Sequence, residues 1–148
     1  MTRLRSLLLP TAPSTRASIG LLAVRVFTGG AFMTHGWGKI QDPFHWLDKA
    51  PSPPPAVFQL LAAIAEFFGG LGLILGAVTV IAAFGVLCTM VVAINTHVGM
   101  GDPFGKWELA AAYLAITVML FFAGPGLFSI DALLQRRAAV PGVPAATG

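Results

Sequence analysis

Residues 62–76 read AAIAEFFGGLGLILG, and one glutamate, Glu66, stands in the middle of them. Residues three and four away on a helix share a face with it. Here these are Ala62, Ala63, Gly69 and Gly70, all small, so a second helix can approach closely along that stripe. Gly72 and Gly76 extend the small-residue pattern as GxxxG, which makes Gly69, Gly70, Gly72 and Gly76 the expected helix-packing glycines. An ionised side chain at the centre of a bilayer costs about 2.5–3.5 kcal/mol on insertion scales. Glu66 is therefore expected to face the interior of a helix bundle and to find a partner there.

The whole chain supports a membrane setting. Its 148 residues suit one domain. Hydrophobic residues make up 56% and charged residues 10%, against about 25% charged in soluble proteins, and the mean hydropathy is +0.81. The net charge of +3 is spread over few groups. No dense basic run points to nucleic acid, and the lipid bilayer is the expected partner. One cysteine, Cys88, leaves no pair for a disulfide, a CxxC relay or a zinc set. The start, MTRLRSLLLP, is basic, but its apolar run is too short for a signal-peptide core of about 7–15 residues.

A hydrocarbon core about 30 Å thick takes ~20 helical residues. Four stretches qualify, at about 17–37, 55–76, 78–96 and 107–123. PSPPP precedes the second and GPG follows the fourth, as helix boundary signals require. The fold class expected is all-α: an integral membrane four-helix bundle with both termini cytoplasmic. Its parts are a cytoplasmic tail at 1–16, a membrane domain at 17–134 and a second cytoplasmic tail at 135–148. Lys and Arg counts set the orientation, five against three in favour of the side holding the termini. Spans two and three form a tight hairpin at GAVT. The stretch LFSIDALLQRR reads as an interfacial helix capped by Ser129, with Arg136 and Arg137 reaching headgroups.

Two polar sets carry the chemistry. Counted from the ends of their spans, Arg25 and Glu66 lie at matching depths, and a guanidinium can bond a carboxylate through two parallel hydrogen bonds. An Arg25–Glu66 ion pair is expected, either fixing helix register or serving function. The second set gathers at the outer helix ends: His35, Lys39, Asn95, His97 and Glu108, with Tyr113 lining an apolar slot. Histidines near a carboxylate can hydrogen-bond a quinone carbonyl or exchange protons with it. No metal is expected there, because none of these residues shares a recognised ligand spacing.

Several ordered motifs together carry a resemblance. Arg25 leads into HGWGK (35–39), AEFFGGLGLILG follows, INTH (94–97) ends span three, WELA (107–110) opens span four, and GPGLFSID (124–131) closes it. Over about residues 19–134 the chain resembles the DoxX family of small four-helix bacterial membrane proteins. That resemblance implies a compact bundle in the plasma membrane. It marks Arg25, His35, Gly36, Lys39, Glu66, Gly69, Gly70, His97, Glu108, Gly124, Pro125 and Gly126, without a settled catalytic role for any. Named members of the wider family include a subunit of a thiosulfate:quinone oxidoreductase, and membrane partners of a superoxide dismutase and a sulfurtransferase.

Three functions stay open on the sequence. One is a subunit of quinone-linked or redox-defence chemistry acting with soluble oxidoreductase partners. It would carry no covalently bound cofactor and have a quinone as its candidate ligand. With no flavin, haem or dinucleotide motif, its electrons come from a partner. Another is a membrane anchor or scaffold without catalysis. The third is a small transporter or proton path through Arg25 and Glu66, which would need a homo-oligomer because four short helices leave little room for alternating access.

Overall fold

The computed structural model describes residues 14–50 and 52–138. Five helices follow one another: α1 Thr15–Gln41, α2 Ala56–Leu75, α3 Thr79–Gly99, α4 Phe104–Ala123 and α5 Ile130–Ala138. The described residues are all-helical, and α1 to α4 are each long and apolar enough to cross a membrane. The expected tails at 1–16 and 135–148 lie largely outside the described residues. Where they are described, α1 already begins at Thr15 and α5 runs on to Ala138. α4 starts at Phe104, three residues before the expected Trp107, because Pro103 sits at its N-terminal boundary and its carbonyl accepts from Lys106 N.

The helices pack in chain order, α1 on α2, α2 on α3 and α3 on α4, while α1 and α4 touch sparingly. Large apolar side chains such as Phe27, Phe58, Ile81 and Phe122 point outward, which suits a bundle solvated by lipid tails. The polar groups turn inward. In α1 the buried residues are Ser18, Leu21, Arg25, Thr28, Gly29, Phe32 and Gly36; in α2 they include Gln59, Ala63, Glu66, Gly70 and Leu73. Both sets follow the 3.6-residue period of a single helical face.

Glycine sets the α1–α2 register. A Cβ at Gly36 would stand 2.6 Å from Phe67 N, and one at Gly70 would stand 2.7 Å from Gly29 O. Backbones can come this close only where no side chain intervenes. Gly69 and Gly72 serve α3 instead, facing the backbone and side chain of Ala82. Gly76 differs from the other three: it terminates α2 in the left-handed conformation, φ +65°, where only glycine is free of strain.

At the end of the bundle holding that turn, three segments are tied together. Val78 also has positive φ, +45°, a costly conformation for a β-branched residue. Asp131 of α5 holds it there: Oδ1 accepts from Val78 N at 2.8 Å and Oδ2 from Thr79 N at 2.9 Å. The Asp131 N–H in turn donates to Gly76 O at 2.9 Å. One carboxylate on α5 thus caps the N-terminus of α3. Ser129 caps α5 as expected, its Oγ accepting from Ala132 N at 3.0 Å. Asp131→Ala removes both acceptors, and a loss of about 1–2 kcal/mol is expected. Thermal unfolding in detergent would read it, and Asp131→Asn should lose less because one acceptor oxygen remains.

Candidate functional site

Arg25 and Glu66 do not meet. Arg25 is 1% exposed, and its guanidinium is spent on backbone carbonyls. Nε donates to Leu73 O at 3.0 Å and one terminal nitrogen donates to Phe128 O at 2.9 Å. The other terminal nitrogen donates to Pro125 O. Leu73 lies in the last turn of α2, where carbonyls lack partners within the helix. Arg25 therefore fastens the end of α2 to the GPG segment after α4.

The expected ion pair fails because the helices are not flush. α1 has 27 residues and α2 has 20. The contacts of Gly36 with Phe67 and of Gly29 with Gly70 place Arg25 opposite Gly76. The first turns of α1 overhang the α2–α3 turn, where Ser18 Oγ accepts from Leu127 N at 3.1 Å. Glu66 faces the level of Gly36 instead, eleven residues along α1 from Arg25, or about 16 Å at 1.5 Å per residue.

The partner of Glu66 is Lys39. Its Nζ donates to Glu66 Oε1 at 2.6 Å, and the two side chains are 24% and 5% exposed. Glu66 is the eleventh residue of α2, well inside that span, and Lys39 reaches it from the last turn of α1. The other carboxylate oxygen, Oε2, is buried with no hydrogen-bond partner among the described residues. A buried acceptor left unmade costs about 1–3 kcal/mol. It is the unspent bonding capacity of this site.

The segment after α1 packs over the pair. Trp46 Nε1 donates to Gln59 O at 3.0 Å, and the Trp46 ring lies 4.3 Å from Lys39 Nζ. The Gln59 side chain is 1% exposed and bonds at both ends. Its Oε1 accepts from Leu47 N at 2.8 Å, while Nε2 donates to Asp48 Oδ1 at 2.8 Å and to Pro54 O at 3.2 Å. The indole is thus held against α2. On the bilayer side, Met33, Thr34, Trp37 and Phe67 line an apolar groove along the α1–α2 seam, with the Trp37 and Phe67 rings 5.7 Å apart. Phe67 adjoins Glu66 in the chain.

The outer cluster expected from the helix ends breaks up. His97 Nδ1 pairs with Asp102 Oδ2 at 2.7 Å, a contact from the last turn of α3 to the loop that follows it. His35, Asn95 and Glu108 are exposed. Tyr113 is buried, its ring edge-on to Phe32 at 5.0 Å. Of that set, only Lys39 meets Glu66. Helical angle explains the difference: at about 100° per residue, His35 stands roughly 80° from Arg25 and Gly36 only about 20°. The seam passes through Gly36, and His35 falls outside it. No group of three His, Cys, Asp or Glu side chains that could hold a metal ion occurs among the described residues.

The residue missed in the sequence is Gln59. Its signal was present, since Gln59 and Glu66 are seven apart and share one helical face.

The family profile of DoxX matches residues 20–99, more than half of the chain. The chain belongs to the DoxX family. The matched residues run from the first turns of α1 to the end of α3 and include Arg25, Lys39, Gln59 and Glu66. Inner membrane protein YqjF of Escherichia coli (strain K12) is 29% identical over 124 residues, covering 80% of this chain and 95% of that protein. No solved structure matches the chain. With four spans and this kinship, it is a multi-pass protein of the bacterial plasma membrane.

Proposed function

We propose that this DoxX-family chain is the membrane subunit of a quinone-linked redox system, binding the quinone head at Lys39 and Glu66 while a soluble oxidoreductase supplies electrons. The observation that carries this reading is the buried Lys39–Glu66 pair with Oε2 unspent. Ionisable groups inside a span are functional candidates by default. A Lys ammonium has three N–H groups; one serves Glu66 Oε1, leaving donors for a ligand oxygen.

The surroundings favour a ligand that arrives through lipid. Trp46 packs over Lys39 and the Gln59 bonds tie the segment after α1 to α2, while the groove lined by Met33, Thr34, Trp37 and Phe67 on the same seam is apolar and suits an apolar tail. The quinone is substrate here, held by its head and exchanged with the membrane pool.

Quinone content of protein purified gently from native membranes tests the reading. Wild type should carry near-stoichiometric quinone. Lys39→Met should lower quinone affinity by about tenfold or more, the worth of one charge-assisted hydrogen bond, because Lys39 is the donor to the quinone carbonyl. Equal quinone in wild type and Lys39→Met would remove the site. Soluble proteins that co-purify would identify the electron donor.

A further inference from the structure

Resting on that reading of the site, we infer that it selects the redox state of its ligand, binding the hydroxyl-bearing hydroquinone more tightly than the quinone. An ionised carboxylate accepts hydrogen bonds and donates none. Glu66 Oε2 is buried, with no donor among the described residues. A quinone carbonyl is also only an acceptor, so beside Oε2 it leaves two buried acceptors facing each other unpaired. A hydroquinone O–H donates to Oε2 and removes that cost. The hydroxyl oxygen can still accept from Lys39 Nζ, whose bond to Oε1 stays in place.

Lys39 makes the carboxylate fit for this role. With the ammonium 2.6 Å from Oε1, the pair is neutral as a whole, and a neutral ligand enters without adding a buried charge. A cationic ligand would have to displace Lys39, or leave an unbalanced charge among apolar residues. The chemistry therefore favours a neutral O–H donor with an apolar body.

The preference has a direction for electron flow. A site that holds the reduced form more tightly raises the midpoint potential of the bound couple, making the bound quinone a better electron acceptor. For this two-electron couple, tenfold tighter binding of hydroquinone corresponds to about 30 mV. The site then draws electrons from the soluble donor toward the membrane pool.

The test is anaerobic titration of full-length protein in nanodiscs with a short-tailed benzoquinone and, separately, its hydroquinone, read by tryptophan fluorescence. Wild type should bind the hydroquinone at least about tenfold tighter, the worth of one hydrogen bond to a charged group. In Glu66→Gln the preference should shrink or reverse, because the amide can donate to a carbonyl. Trp37→Ala, in the lipid-facing groove, should weaken both forms alike and serves if Glu66→Gln misfolds. Equal affinities in wild type, or tighter binding of the quinone, overturn the inference and leave the site reading standing. Binding of neither form overturns both.

Discussion

Arg25→Met is expected to destabilise the folded protein by about 3–5 kcal/mol, the largest loss from any single side chain at the α2–α3 end of the bundle. Arg25 donates to three carbonyls from two separate stretches of chain, Leu73 on one side and Pro125 and Phe128 on the other. Leu73 O keeps its bond from Gly76 N, but the Pro125 and Phe128 carbonyls lose the guanidinium, and each carbonyl left unpaired in a water-excluded site costs about 1–3 kcal/mol. Gly76 shows how closely the guanidinium is fitted, since a Cβ there would stand 2.9 Å from Arg25 Cζ. Arg25→Lys should recover only part of the loss. A lysine keeps the charge but lacks the planar fork that reaches three separated acceptors. Equilibrium unfolding in mixed micelles would measure both variants, and a loss below about 1 kcal/mol for Arg25→Met would contradict a clasp built on these bonds.

That clasp also shows what could be read before the structure. Span number and approximate limits follow from apolar run length, because only helices satisfy their own backbone inside a bilayer. The inward turn of Glu66 follows from its small neighbours. Ser129 as a cap and the hairpin at Gly76 follow from local residue chemistry. Pairing between spans could not be read, because it depends on how far one helix overhangs another. The sequence marks where α1 is apolar, yet its overhang is set by Gly29, Gly36 and Gly70 meeting across the seam. A shift of eleven residues along α1 exchanges Arg25 for the Gly36 level, and with it Lys39 for the partner of Glu66. The outer cluster failed for a related reason. Residues at the same depth on different helices need not share a face, and His35 misses the seam by one position. Gln59 was legible as a polar residue on the Glu66 face, but no periodicity points to its partners Trp46, Leu47, Asp48 and Pro54 between α1 and α2.

The Lys39–Glu66 pair separates architecture from function by a comparison of single and double variants. Lys39→Met leaves Glu66 buried without a counter-charge, and breaking such a pair from one side costs about 3–5 kcal/mol. It also strips the Trp46 ring of the cation it covers. Lys39→Met combined with Glu66→Leu removes both charges and the unpartnered Oε2 together. Replacing a buried ion pair by apolar residues of similar volume is often neutral or stabilising by about 1–4 kcal/mol. The double variant is therefore expected to unfold no more easily than wild type, while the single variant falls well below it. Quinone binding should be lost in both. Stability recovered without binding means that the pair is kept at a cost for the ligand it holds. A double variant as unstable as the single one would make the pair a register device joining α1 to α2. The unspent oxygen of Glu66 argues for the first outcome, because a pair selected only to fix register gains nothing from a buried acceptor left without a donor.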